Sequence, residues 1–101
     1  MSKCRVLIVD DIAENIAQMV NMLSNLDIEI KKAYGGKEAI ELVETFKPNI
    51  ILLDLMMPEV NGWDVIEHVR ARYDKNEMII IITSLLNNKD NIDECYEMGV
   101  N

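Results

Sequence analysis

The chain has 101 residues, half of them apolar, and a formal net charge of −8. This is one small domain, too apolar for a disordered segment, and its acidity argues against direct nucleic-acid binding, which needs a basic face. No apolar run approaches the ~20 residues of a membrane span. The opening Met1-Ser2-Lys3-Cys4 is not that of a signal peptide, because a strand follows at once. Cys4 and Cys95 match no metal-ligand spacing, and both are expected to be reduced thiols in a cytoplasmic protein, with a disulfide between them as the alternative.

Arg5 to Val9 is a short apolar run without helical period, as expected for a strand buried on both faces of a parallel sheet. After it, Ile12, Ile16, Met19, Val20, Leu23 and Leu26 recur at three- and four-residue steps and give a first helix; Asp11 is suited to capping it, although its side chain is expected to serve a metal instead. Ile28 to Ala33 is a second strand whose Lys31 and Lys32 suit a sheet edge. Gly35-Gly36 breaks the chain. Lys37 to Phe46 forms a second helix that buries Ala39, Ile40, Val43 and Phe46, and Pro48 ends it. Asn49 to Leu53 is a third strand, and Leu55 to Gly62 a loop. A third helix from about Trp63 to Tyr73 buries Val65, Ile66 and Val69. Met78 to Thr83 is a fourth strand, whose four isoleucines place it deep in the sheet. Asn88 caps a fourth helix, with Gly99 as its left-handed stop.

Regular alternation of strand and helix predicts an α/β fold with right-handed crossovers and helices on both faces. An order 2-1-3-4 would set the first and third strands side by side. Asp10-Asp11 and Asp54 would then share the crevice beyond the carboxyl ends of the strands, where open parallel sheets bind ligands. Three carboxylates gathered there repel one another unless a cation joins them, and hard oxygen donors suit Mg²⁺ or Mn²⁺. His68 is expected to be an exposed helix residue, and Trp63 and Tyr96 to pack partially.

Asp10-Asp11 after the first strand, the segment Asp54-Leu55-Met56-Met57-Pro58-Glu59-Val60-Asn61-Gly62 and Thr83-Ser84 after the fourth strand together resemble the receiver domain of bacterial two-component response regulators. The resemblance covers the whole chain, residues 1–101. It implies a flavodoxin-like doubly wound sheet and a module that catalyses only its own phosphoryl transfer and loss. It implies Asp54 as phosphoacceptor from a sensor histidine kinase or phosphotransfer protein. Asp11, Asp54 and the backbone carbonyl of Met56 would hold Mg²⁺, with Asp10 binding directly or through water. Thr83 would contact the phosphoryl group and switch the following loop, Ser84 would leave room beside it, and Pro58 and Gly62 would frame the nucleophile.

The family carries a fifth strand, a lysine after it and a fifth helix, whereas the sequence reaches Gly99-Val100-Asn101 where that strand is due. None of the lysines stands at the family's position, and Lys89, the nearest in sequence, falls in the fourth helix. The domain is accordingly expected to be truncated before strand 5, with a homodimer through the exposed edge of the fourth strand as the remedy. The alternative to phosphotransfer is a pseudo-receiver that docks or dimerises without phosphate. A metal-dependent phosphohydrolase is disfavoured by Met56 two residues after Asp54, and a flavodoxin by carboxylates where a phosphate loop would be.

Overall fold

The computed structural model describes residues 3–57, 60–83 and 99–101. The expectations for Pro58, Ser84, Asn88, Lys89, Cys95, Tyr96 and the fourth helix lie outside these residues. Seven elements alternate along the rest: β1 (Cys4–Val9), α1 (Ala13–Met22), β2 (Ile28–Ala33), α2 (Gly36–Phe46), β3 (Ile50–Leu53), α3 (Gly62–Arg70) and β4 (Ile79–Ile82). All strand pairs are parallel, in the order β2-β1-β3-β4. The alternation predicts the α/β class, and the flavodoxin-like order is the one the receiver-domain resemblance implies.

Side chains alternate across a strand, so each strand feeds two cores. Leu7, Val9, Ile51, Leu53 and Ile80 point to one face and pack with Ala39 and Val43 of α2 and Val65, Ile66 and Val69 of α3, all fully buried. Val6 and Ile8 point to the other face, where Ile16 of α1 covers them. Burying an aliphatic side chain of this size contributes about 1.5–3 kcal/mol. The α1 face is the thinner layer: Leu52 and Ile50 are only partly buried, and Ile81 is exposed.

Several local expectations need correction. Helix α1 stops at Met22 rather than continuing to Leu26, which is exposed, because Ser24 Oγ bonds back to Asn21 O at 2.7 Å and Leu26 N bonds Leu23 O in a turn. Short hydroxyl side chains favour such local bonds over continued helix. The residue at the N-cap of α1 is Ile12, exposed and without a side-chain cap bond, so the Asp11 side chain does not cap the helix, in line with the expectation. Helix α3 ends at Arg70, and β4 lies at the sheet edge among the described residues rather than deep within it. His68 is half-buried rather than exposed, its Nε2 lying 2.9 Å from Glu44 Oε1 of α2. Ile40 and Phe46 are likewise only partly buried, while Trp63 packs partially as expected.

The amino end of the sheet is closed by polar side chains. Asn49 Oδ1 accepts from Arg5 N at 2.8 Å, and Arg5 Nε donates to Lys47 O at 2.8 Å. Arg70 donates through Nε to Gly99 O (2.6 Å), through Nη1 to Met78 O (2.8 Å) and through Nη2 to Asn101 Oδ1 (2.9 Å). Gly99 takes φ +100°, the left-handed region that glycine alone enters cheaply. Asn101 in turn takes both outward-facing polar groups of Ile80: its N donates to Ile80 O at 3.0 Å, and its Oδ1 accepts from Ile80 N at 2.9 Å. The edge of β4 is therefore not open at Ile80.

Candidate metal centre

Parallel register brings the candidate residues to one rim. Val9 pairs with Leu53, and Leu53 with Ile82. One residue further along these strands stand Asp10, Asp54 and Thr83. Backbone bonds carry the ladder to that level: Asp10 N to Ala33 O (3.1 Å), Asp54 N to Val9 O (3.0 Å) and Thr83 N to Leu53 O (2.9 Å). The period of two assigns Asp10, Asp54 and Thr83 to the face of Ile8, Leu52 and Ile81. That is the thinly covered α1 face, and Thr83, exposed, lines a recess there with Met19, Met22, Leu23 and Leu52.

Asp10, Asp11 and Asp54 each offer a carboxylate oxygen within 4.8 Å of the others. Asp10 and Asp54 are buried, at 4% and 7% exposure, while Asp11 faces solvent. Two like charges at that separation repel by on the order of 3 kcal/mol at an effective dielectric of ~20. Neutral donors offset part of this: Asp10 Oδ1 accepts from Ile12 N at 2.9 Å, its Oδ2 from Asn15 Nδ2 at 3.3 Å, and Asp54 Oδ1 from Met56 N at 3.1 Å. An all-oxygen set with two buried anions and one open anion fits a hard divalent ion that keeps part of its water shell. The cluster could hold a metal ion.

The loop after Asp54 turns back immediately. Met57 N bonds Leu55 O at 3.2 Å, and Gly62 N closes on the same oxygen at 3.1 Å. Met57 points into the core, whereas the Met56 side chain is 72% exposed, so any contribution of Met56 comes from its backbone. Asn61 then caps α3 with a reciprocal pair: its Oδ1 accepts from Asp64 N, and Asp64 Oδ2 accepts from Asn61 N. The expected residues Asp10, Asp11 and Asp54 are thus brought together, and Thr83 stands at the same level. Asn15 was not singled out by the sequence reading. Its signal was an amide in the first turn of the helix that follows an aspartate pair, which is also an ordinary helix-start residue.

No helix among the described residues is long and apolar enough to cross a membrane. The family described as response regulator receiver domain matches residues 6–101. The DNA-binding transcriptional activator EvgA of Escherichia coli K12 is 38% identical over 96 residues, covering 94% of this chain and 46% of that protein. Chemotaxis protein CheY of Thermotoga maritima is 35% identical over 82 residues, covering 80% of this chain and 68% of that one. The chain thus spans less than half the length of EvgA. Among solved structures, the receiver domain of Francisella response regulator 1452 superposes with a TM-score of 0.81 at 26% identity, covering 96% of this chain and 78% of that one. The CheX–CheY–BeF₃–Mg²⁺ complex of Borrelia burgdorferi gives 0.86 at 26% identity, covering 96% and 73%. Register, rim carboxylates and relatives agree: this chain is a member of the response regulator receiver domain family of two-component signalling.

Proposed function

We propose that the domain accepts a phosphoryl group on Asp54 from a phosphohistidine of a sensor kinase or phosphotransfer protein, with Mg²⁺ held by Asp11, Asp54 and the Met56 carbonyl. Asp10 contributes directly or through water. The observation that carries this reading is the convergence of Asp10, Asp11 and Asp54 within 4.8 Å at the sheet rim. The same intact cluster favours it over the phosphate-independent pseudo-receiver. The Mg²⁺ in the related CheX–CheY complex supports the choice of ion.

The residues divide the work. An Asp54 oxygen forms the P–O bond as the donor's P–N bond breaks, and the electron pair leaves on the imidazole nitrogen, which then takes a proton. Carboxylate nucleophiles are poor while phosphoryl oxygens repel them, and a bound Mg²⁺ would neutralise that repulsion from both sides. The bond from Met56 N to Asp54 Oδ1 fixes the carboxylate plane, so positioning is supplied by the fold. Asn15 and Ile12 hold Asp10 in place. The Thr83 hydroxyl donates to a phosphoryl oxygen. The added charge of about −1.5 to −2 then draws Thr83 toward the rim, which is the signal.

A small phosphodonor such as phosphoramidate with Mg²⁺ tests this directly. Mass spectrometry should find one acid-stable, base-labile phosphoryl group, absent from Asp54→Asn and absent when Mg²⁺ is chelated. Modification that persists in Asp54→Asn would refute Asp54 as the acceptor, and a wild-type chain that is never modified would favour the pseudo-receiver.

A further inference from the structure

The loop that leaves the sheet at Asp54 is seated against two glycines. At Gly62 a Cβ would stand 2.5 Å from Leu55 Cα and 2.6 Å from Asp54 O, so α3 starts against the backbone of the candidate nucleophile itself. At Gly36 a Cβ would overlap Val60 O and lie 2.7 Å from both Val60 C and Val60 Cγ1. Gly36 belongs to a different strand–helix unit, where it is buried at the first position of α2. Its backbone does not demand glycine: among the described glycines only Gly99 has a positive φ. In a helix interior alanine is in fact favoured over glycine by ~1 kcal/mol. The requirement is one of space, and it is absent one residue earlier, where a Cβ on Gly35 would meet nothing within 4 Å.

We infer that Gly36 is a positioning residue for the candidate metal centre: by letting the Val60 backbone sit against α2, it sets how Val60 approaches Gly62 and with it, through the Gly62–Leu55 closure, the placement of Asp54 and Met56. The inference rests on the reading of that centre as a Mg²⁺ site. Of the two bodies in contact, the loop is the one that yields. Helix α2 is fixed by Ala39 and Val43, both fully buried in the main core. The loop is tied to the site at its other end, through Gly62 N on Leu55 O and Met56 N on Asp54 Oδ1. A push at Val60 is therefore delivered two residues from the Gly62–Leu55 closure, beside the nucleophile.

The test compares Gly35→Ala with Gly36→Ala, the same change at adjacent positions, one open and one filled. Two measurements on each protein are amide resonances of Asp54, Leu55 and Met56 without metal, and Mg²⁺ affinity by titration of Trp63 fluorescence, whose ring lines one recess with Leu55 and Met56. Gly35→Ala should leave both unchanged, with affinity within about twofold. Gly36→Ala should shift those resonances before metal is added and weaken Mg²⁺ binding about tenfold or more, the scale of disturbing a metal site's supporting shell. Because the overlap is with backbone, adding Val60→Ala should not restore it. Gly36→Ala with wild-type resonances and affinity would overturn the inference whatever its melting temperature, leaving Gly36 a packing residue. Should Gly36→Ala fail to fold, the wild type decides: Mg²⁺ must then move the Gly36 and Val60 amide resonances together with those of Asp54 to Met56, and a still Gly36 refutes the coupling. A wild type with no response to Mg²⁺ would instead overturn the metal-site reading, while the metal-free resonances of the two variants still judge the positioning role.

Discussion

The two ends of the same four-stranded sheet are built on opposite rules. At the amino end, Asn49, Arg70 and Asn101 join polar groups to one another, and the chain is sewn shut. At the carboxyl end, Asp10, Asp11 and Asp54 are crowded within 4.8 Å of one another. One end spends its polar side chains on stability. The other keeps like charges together, an arrangement that a bound cation would make favourable. Strand ends that converge on a rim serve both purposes, and the difference lies in the side chains the sequence places there, not in the backbone.

The largest effect that would sharpen this contrast is expected from Arg70→Ala. The guanidinium also donates to Tyr73 O and Asp74 O, so one side chain ties the end of α3 to the start of β4 and to residues 99–101. Burial lowers its pKa and Asp74 opposes this, but a guanidinium stays charged throughout the working range, so the latch carries no pH switch. Removing it strands several partly buried acceptors, at about 1–3 kcal/mol each where water does not replace the donor. Chemical denaturation should show a loss of about 3 kcal/mol, with Mg²⁺ affinity within about twofold of wild type. A comparable loss of Mg²⁺ affinity would break the separation of the two ends.

At the other end, the second effect should depend on metal. If Mg²⁺ binds the native chain alone, a concentration one hundred times its dissociation constant stabilises the fold by about 2.7 kcal/mol. Asp11→Ala should abolish that gain, because it removes the open ligand. Without metal the variant should be no less stable than wild type, since Asp11 is exposed and its charge repels two buried neighbours. Thermal melts with and without Mg²⁺ measure both. A metal-free Asp11→Ala that melts well below wild type would mean that the carboxyl end, too, is built for stability.

Much of this contrast was legible in the sequence, and its carboxyl end more so than its amino end. Asp10, Asp11 and Asp54 follow unbroken apolar runs, and period two with parallel register fixes where such residues emerge. The rim followed once the order 2-1-3-4 was set, and that order came with the family resemblance rather than from the periodicity. Boundaries that depend on side-chain competition did not: the period through Leu23 and Leu26 outran α1 because Ser24 offered the backbone another partner. The Arg70 latch left no local signal. Its acceptors, at Tyr73, Asp74, Met78, Gly99 and Asn101, are mostly carbonyls, which every residue carries. His68 read as exposed because helical periodicity puts it beside charged residues, whereas the Glu44 that half-buries it comes from α2, 24 residues away. The contact of Gly36 with Val60 was similarly invisible, since glycine before a helix already has a local explanation.

The smallest expected effect lies where the two rules meet, at the start of α3. Asn61 and Asp64 form a reciprocal cap, with bonds of 3.2 and 3.3 Å, at the far end of the loop that carries Met56. Losing an Asn cap typically costs ~1 kcal/mol. Asn61→Ala removes that stabilisation without adding volume, and the Gly62 N to Leu55 O bond that closes the loop is left in place. Its denaturation midpoint should therefore fall by the equivalent of about 1 kcal/mol while Mg²⁺ affinity stays within about twofold of wild type. If affinity falls with stability, the placement of Asp54 and Met56 depends on how firmly α3 begins. The carboxyl end would then draw its geometry from the helix cap as well as from the register of β1 and β3.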